Sequence, residues 1–208
     1  FEELLLHLDL TKFQSFDLTE PDTYLRFFTT YGFDSGEKFF KIIDLCIEKK
    51  IGTNLTFLEA YEQTKKELVI ATTCVNRQQT IYMNYQSHPD VTISEAIKIS
   101  CRVPFLFDAH EIESELYVDG GISDILPIQY MNEKNALGFF VMNRIRHNHS
   151  VSTEQPCQPI NSIKHYAMNI ISCLNNQLYN LIESNYENCV CINLADSMYV
   201  QENKKTMF

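Results

Sequence analysis

Positive charge is scarce in this chain: 17 Lys and Arg stand against 27 Asp and Glu, a formal net charge of −10 over 208 residues. That balance excludes nucleic acid as the main partner, because phosphate contacts need clustered Lys and Arg. It also argues against recruitment to anionic membranes by net charge, and leaves contact with lipid through a local apolar surface open. Long apolar runs are missing too. None approaches the roughly 20 residues of a transmembrane helix, and no signal peptide is visible. The seven cysteines include no Cys-x-x-Cys pair, so they read as reduced thiols, and the expected location is cytoplasmic or membrane-peripheral. Cys189-x-Cys191 would place two thiols on one face of a strand; small core residues are the plainer reading, a metal pair the alternative. The histidines form no His-Glu-x-x-His pattern, and no Asp-x-Asp-x-Asp-Gly calcium loop occurs. No metal and no cofactor is expected. Glycine is confined to positions 32, 36, 52, 120, 121 and 138, so no Gly-x-Ser-x-Gly exists in the chain.

What is present suffices for a globular core: 45% of residues are hydrophobic and 12% aromatic, the content of one domain or most of one. Residues 1–8 read as the tail of an amphipathic helix and 10–21 as a polar-aromatic connector. Apolar residues at Phe39, Phe40, Ile43, Cys46 and Ile47 have helical spacing, with Lys49, Lys50 and Gly52 marking the stop. Thr56-Phe57-Leu58-Glu59 and Thr92-Ile93-Ser94-Glu95 have capping-box spacing and each opens a helix, to about Lys65 and Arg102. Residues 68–73 and 80–83 read as neighbouring strands. Two more, 110–112 and 116–118, flank a turn at Glu113-Ser114. Residues 136–142, apolar nearly throughout, suggest a strand buried on both faces. Residues 147–160 read as a surface loop, 162–182 as a long helix and 189–194 as a last strand, the latter two within a C-terminal helix–strand part, 161–208. Helices alternating with short apolar strands mean α/β.

The chemistry concentrates in a core region, residues 93–130. A helix carrying Ser100-Cys101 is followed by Val103-Pro104, then Phe105-Leu106-Phe107, a hairpin, Leu116-Tyr117-Val118-Asp119-Gly120-Gly121, and Leu126-Pro127. A carboxylate directly after a strand lies at a sheet edge, where α/β enzymes place ligands. Gly120 and Gly121 behind it allow a sharp turn, with positive φ if required, and leave the carboxylate unshielded. Such an Asp can take a proton from a hydroxyl nucleophile. The tripeptide by itself is ordinary turn chemistry; the order around it carries the weight.

That order resembles the patatin-like phospholipase family. The matching residues are Ser100 or Cys101, Pro104, Phe107, Tyr117, Val118, Asp119, Gly120, Gly121 and Pro127, with looser matches back to Glu2. The resemblance covers most of residues 1–145. It implies a three-layer α/β/α sandwich with a mainly parallel central sheet and an ester hydrolase acting on lipid or lysophospholipid through a Ser–Asp dyad. Asp119 would be the catalytic base, with Gly120 and Gly121 supporting it. It further implies a serine in Gly-x-Ser-x-Gly and a glycine-rich oxyanion loop, neither of which is here. Only Gly32 and Gly36 have the spacing, with Asp34 between them. Ser35 is one place off and reads as following no strand, so it is set aside as nucleophile. The chain opens at Phe1 inside a helical pattern, and the expectation is that 1–208 form part of such a domain, whose first strands and serine lie upstream. The chain alone would then be inactive. The alternative is a non-catalytic lipid-binding or interaction module of the same fold. His110 is set aside as a triad histidine because it should lie at the far end of the hairpin. Arg102 reads either as facing an anionic head group or, more simply, as a helix C-terminal charge.

Overall fold

The computed structural model describes residues 16–17, 19–52, 54–131, 136–142, 160, 162–163, 166–167, 169–174, 178 and 189–193. The chain divides into two compact units, Phe1–Asp124 and Ile125–Phe208. Among its described residues the first unit opens with α1 (Pro21–Thr30), a helix that begins at the last residue of the stretch read as connector. Pro21 occupies the first turn, where its missing N–H costs nothing, while Glu20 makes no side-chain cap bond. Tyr31 closes the helix in a left-handed conformation and leads into the buried strand β1 (Gly32–Asp34). Next come α2 (Glu37–Ile51), bounded by left-handed Gly36 and Gly52, and α3 (Phe57–Thr64). The expected capping box of α3 forms: Glu59 N–H donates to Thr56 Oγ1 at 3.2 Å and Thr56 N–H to Glu59 Oε2 at 2.8 Å. Such a cap contributes about 1 kcal/mol.

Strands β2 (Ile70–Cys74) and β3 (Gln79–Met83) precede α4 (Ile93–Ser100), which Thr92 caps by accepting the Glu95 N–H. After it come β4 (Phe105–Phe107), β5 (His110–Ile112) and β6 (Glu115–Asp119). The four-stranded sheet has the order β3-β2-β6-β5 and is antiparallel throughout, whereas β1 and β4 form a separate parallel pair. Short turns join β2 to β3 and β5 to β6, and a turn that short permits only antiparallel neighbours. In the second turn Glu113 and Ser114 have φ of 50° and 66°, the doubly left-handed form that suits strand twist. The chain is therefore α/β, with parallel pairing confined, among the described residues, to two strand pairs.

The main core lies where α4 meets the four-stranded sheet. Ile93, Ala96 and Ile99 project from one helix face onto Cys74, Met83 and Tyr117, with Phe57 closing the cluster. Ile99 is fully buried, which stabilises the fold by roughly 1.5–3 kcal/mol.

In the second unit β7 (Gly138–Met142) pairs in parallel with β8 (Cys189–Asn193). The expectation of burial on both faces fails. Phe140 packs on Leu126 and Ile128, but Phe139 and Val141 are 61% and 51% exposed. Alternation along a strand sends neighbours to opposite faces, and among the described residues only one face is covered. Residues 163, 166–167, 169–174 and 178 are helical, inside the expected helix. The helix expected over 1–8 and the loop over 147–159 lie outside the described residues.

Candidate active site

Asp119 is the last residue of β6, opposite Thr72 of β2, and the residue that caps a short 3-10 turn, Gly120–Ile122. Three hydrogen bonds fix it. Its N–H donates to the Arg102 carbonyl at 2.9 Å. Its carbonyl accepts from Thr73 Oγ1 at 2.8 Å. Its Oδ1 accepts the Gly121 N–H at 2.8 Å. The other carboxylate oxygen makes no hydrogen bond among the described residues. Burial pushes the Asp119 pKa up, against the opposing pull of the Gly121 N–H. The carboxylate is thus held by one oxygen and made more basic by its surroundings.

The glycines behind it have different roles. Neither is in the left-handed region, so positive φ is not the reason for them. A Cβ on Gly120 would lie 2.1 Å from the Ala71 carbonyl oxygen; only a residue without a side chain lets the turn cross β2 there. A Cβ on Gly121 would meet only Asp119 Oδ1, at 3.1 Å. Hydroxyls brace the turn from the sheet side. Thr80 donates to Ser123 Oγ at 2.7 Å, which lies 2.8 Å from Thr73 Oγ1, and Tyr82 OH donates to Asp124. No sequence pattern marks Thr73, Thr80 or Ser123, because single hydroxyl residues in strands are common.

The residues around Asp119 fall into place as follows. Cys101 feels the Asp119 charge, and burial together with that charge raises its thiol pKa; it is protonated at neutral pH and a poor nucleophile. Ser100 ends α4 and Pro104 follows four residues later, just before β4. Phe105 carries φ of 67° while 42% exposed, a conformation rare for a bulky side chain. His110 corrects one expectation: it sits opposite Tyr117, at the Asp119 end of the hairpin. Its ring faces Glu95, with Nε2 3.4 Å from Oε1. Burial and the Arg102 charge lower its pKa, so it is neutral at pH 7. Arg102 turns inward rather than outward, donating from Nη1 to the Asp108 carbonyl at 2.8 Å and stacking 4.5 Å from the Phe40 ring centre.

Ser35 also needs correction. It does follow a strand, β1, and α2 begins two residues later. Its backbone is not left-handed, whereas the strained turn falls on Gly36 at φ 73°. Its Oγ accepts the Glu37 N–H at 3.3 Å, a helix-start role. A strained nucleophile turn is therefore not what this strand–turn–helix makes.

A family model described as patatin-like phospholipase matches residues 2–131. The chain belongs to the patatin-like phospholipase family. A probable lipid hydrolase of Invertebrate iridescent virus 6 is 30% identical over 109 residues, covering 50% of this patatin-like chain and 38% of that protein. An uncharacterized protein of Acanthamoeba polyphaga mimivirus is 28% identical over 170 residues, 78% of this chain and 55% of that protein. The chain thus spans between about two fifths and just over half the length of these relatives. Among the described residues no group of three His, Cys, Asp or Glu is placed to hold a metal ion, and no helix is long and apolar enough to cross a membrane.

Proposed function

We propose that the intact protein is a serine lipid acyl hydrolase of phospholipase A or lysophospholipase type, working through a Ser–Asp dyad to which this chain contributes Asp119. The observation that carries the reading is the Asp119 carboxylate, pinned through one oxygen, unpartnered at the other among the described residues, and made more basic by burial. The family match and the relative named as a probable lipid hydrolase support it. The serine comes from a Gly-x-Ser-x-Gly outside these 208 residues, so the chain alone is inactive. Asp119 takes the serine proton as the oxygen attacks the ester carbonyl. It returns that proton to the departing alcohol, leaving an acyl-enzyme; it then takes a proton from the attacking water and passes it to the serine oxygen as the acyl–serine bond breaks and the fatty acid leaves. No cofactor or metal enters this cycle.

In the same proposal residues 1–208 belong to one three-layer domain with a mainly parallel central sheet; the parallel pairs β1·β4 and β7·β8 support it. The partner is lipid or lysophospholipid, met in the cytoplasm or at a membrane surface, and nucleic acid has no part. The test is acyl-ester hydrolysis by the intact protein against its Asp119→Asn variant. Equal rates would remove Asp119 from the mechanism. Failure of a fluorophosphonate to label the intact protein at serine would leave the non-catalytic lipid-binding module in its place.

A further inference from the structure

A half-buried cation is hydrogen-bonded through its main chain to the candidate base, and no step of the proposed reaction uses it. Arg102 lies past the end of α4, between Cys101 and Val103, where the chain turns from helix into β4. Its carbonyl accepts the Asp119 N–H at 2.9 Å. Its side chain is half-buried. It packs 4.5 Å from the Phe40 ring centre of α2 and donates to the Asp108 carbonyl at 2.8 Å. Its Nε is buried without a hydrogen-bond partner among the described residues, and burial lowers its pKa. A charge held partly out of water, with one buried donor unpaired among the described residues, costs stability, so its position there calls for a compensating role.

Asp108 shows how firmly the guanidinium is anchored. Its carboxylate takes two bonds from Arg26 and one from Thr30 Oγ1 at 2.7 Å. Its N–H donates to the Asp34 carbonyl at 2.9 Å. Helix α1, strand β1 and helix α2 are therefore all tied to the one side chain whose main chain holds Asp119. We infer that Arg102 is a positioning residue for Asp119, with the Phe40 face and the Asp108 carbonyl as the two fixed points that set where its carbonyl stands. Displacing that carbonyl frees the Asp119 N–H and lets the end of β6 shift. Misplacement of a reacting group by about 1 Å lowers rate on the order of a hundredfold.

The inference rests on the hydrolase reading for its kinetic consequence alone. Its direct readout is hydrogen exchange at the Asp119 amide in the intact protein, which needs no activity. In Arg102→Met, which keeps bulk and loses the charge and the donors, exchange at Asp119 rises at least about tenfold relative to the Val118 amide. There kcat falls by a similar factor while KM stays within about twofold. Arg102→Lys, which keeps the charge but not the planar stack, recovers part of both. Should Arg102→Met not fold, Phe40→Leu tests the same anchor and moves exchange at Asp119 in the same direction, by less. Unchanged exchange at the Asp119 amide in a folded Arg102→Met protein, or in folded Phe40→Leu where that protein does not fold, overturns the inference. Raised exchange in an intact protein that hydrolyses no acyl ester upholds the positioning role and rejects the hydrolase reading.

Discussion

Two strands in the first unit end the same way. Asp34 closes β1 and Asp119 closes β6, and each accepts through Oδ1 the N–H of a glycine two residues ahead, at 2.8 Å. Beyond that shared turn they diverge. Asp34 is 2% exposed, its charge acts on Arg26, and the turn it makes launches the 15-residue helix α2. Asp119 is half-buried, and the turn it caps is three residues of 3-10 helix. An aspartate bonded to the backbone just ahead of it is common local chemistry. What separates the two is exposure: Asp34 is closed off from solvent, whereas Asp119 is half-buried and keeps one oxygen without a hydrogen bond among the described residues.

The comparison can be broken most sharply by exchanging the acids. In the intact protein Asp119→Asn lowers kcat by about 10²–10⁴, the span of a general base, without loss of thermal stability at neutral pH. The sign follows from burial. A carboxylate whose folded pKa is raised contributes stability below its unfolded pKa and loses that contribution as pH rises through the folded value, so at pH 7 its charge is a cost. An Asp119→Asn melting temperature well below that of the parent would contradict this. Gly120→Ala comes next: a Cβ driven into the Ala71 carbonyl destabilises by about 3 kcal/mol, read by urea unfolding. Asp34→Ala behaves inversely to Asp119→Asn, losing about 1–3 kcal/mol of stability with kcat per folded molecule retained; a collapse of kcat would erase the distinction between the two turns. The smallest stability effect belongs to Gly121→Ala, under about 1 kcal/mol, because only the Asp119 carboxylate is near. Across pH, kcat/KM of the intact protein falls with acid along a limb lying above the ordinary aspartate value of 3.8.

Legibility in the sequence followed the locality of the signal. The caps at Thr56 and Thr92, the stop at Gly52 and the hairpin around Glu113-Ser114 are spelled out within four residues, and each formed. Helix α1 escaped because its cap residue contributes no side-chain bond and its apolar residues Tyr24, Leu25 and Phe28 face outward, 44%, 64% and 74% exposed. Strand β1 escaped because three residues are too few for alternation, and its pairing partner lies far along the chain. That miss removed the stated ground against Ser35, whose exclusion now rests on backbone conformation and the Glu37 bond. The order of motifs points to Asp119 as the candidate base. Its setting was not readable, since Arg102 comes from just past the end of α4 and Thr73 and the Ala71 carbonyl from β2, and they leave no shared pattern.

The tie between Arg26 and Asp108 joins positions 82 apart, and this has a consequence for the nascent chain. At roughly 5–20 residues per second of synthesis, α1 emerges some 4–16 s before the aspartate that pins it. Its outward Leu25 and Phe28 spend that interval without the frame that orients them. The hairpins β2–β3 and β5–β6, closed by short turns, can form as soon as they leave the ribosome. The floor of the Asp119 site is thus a late product of folding, and newly made chains are vulnerable to proteases and to one another at α1 first.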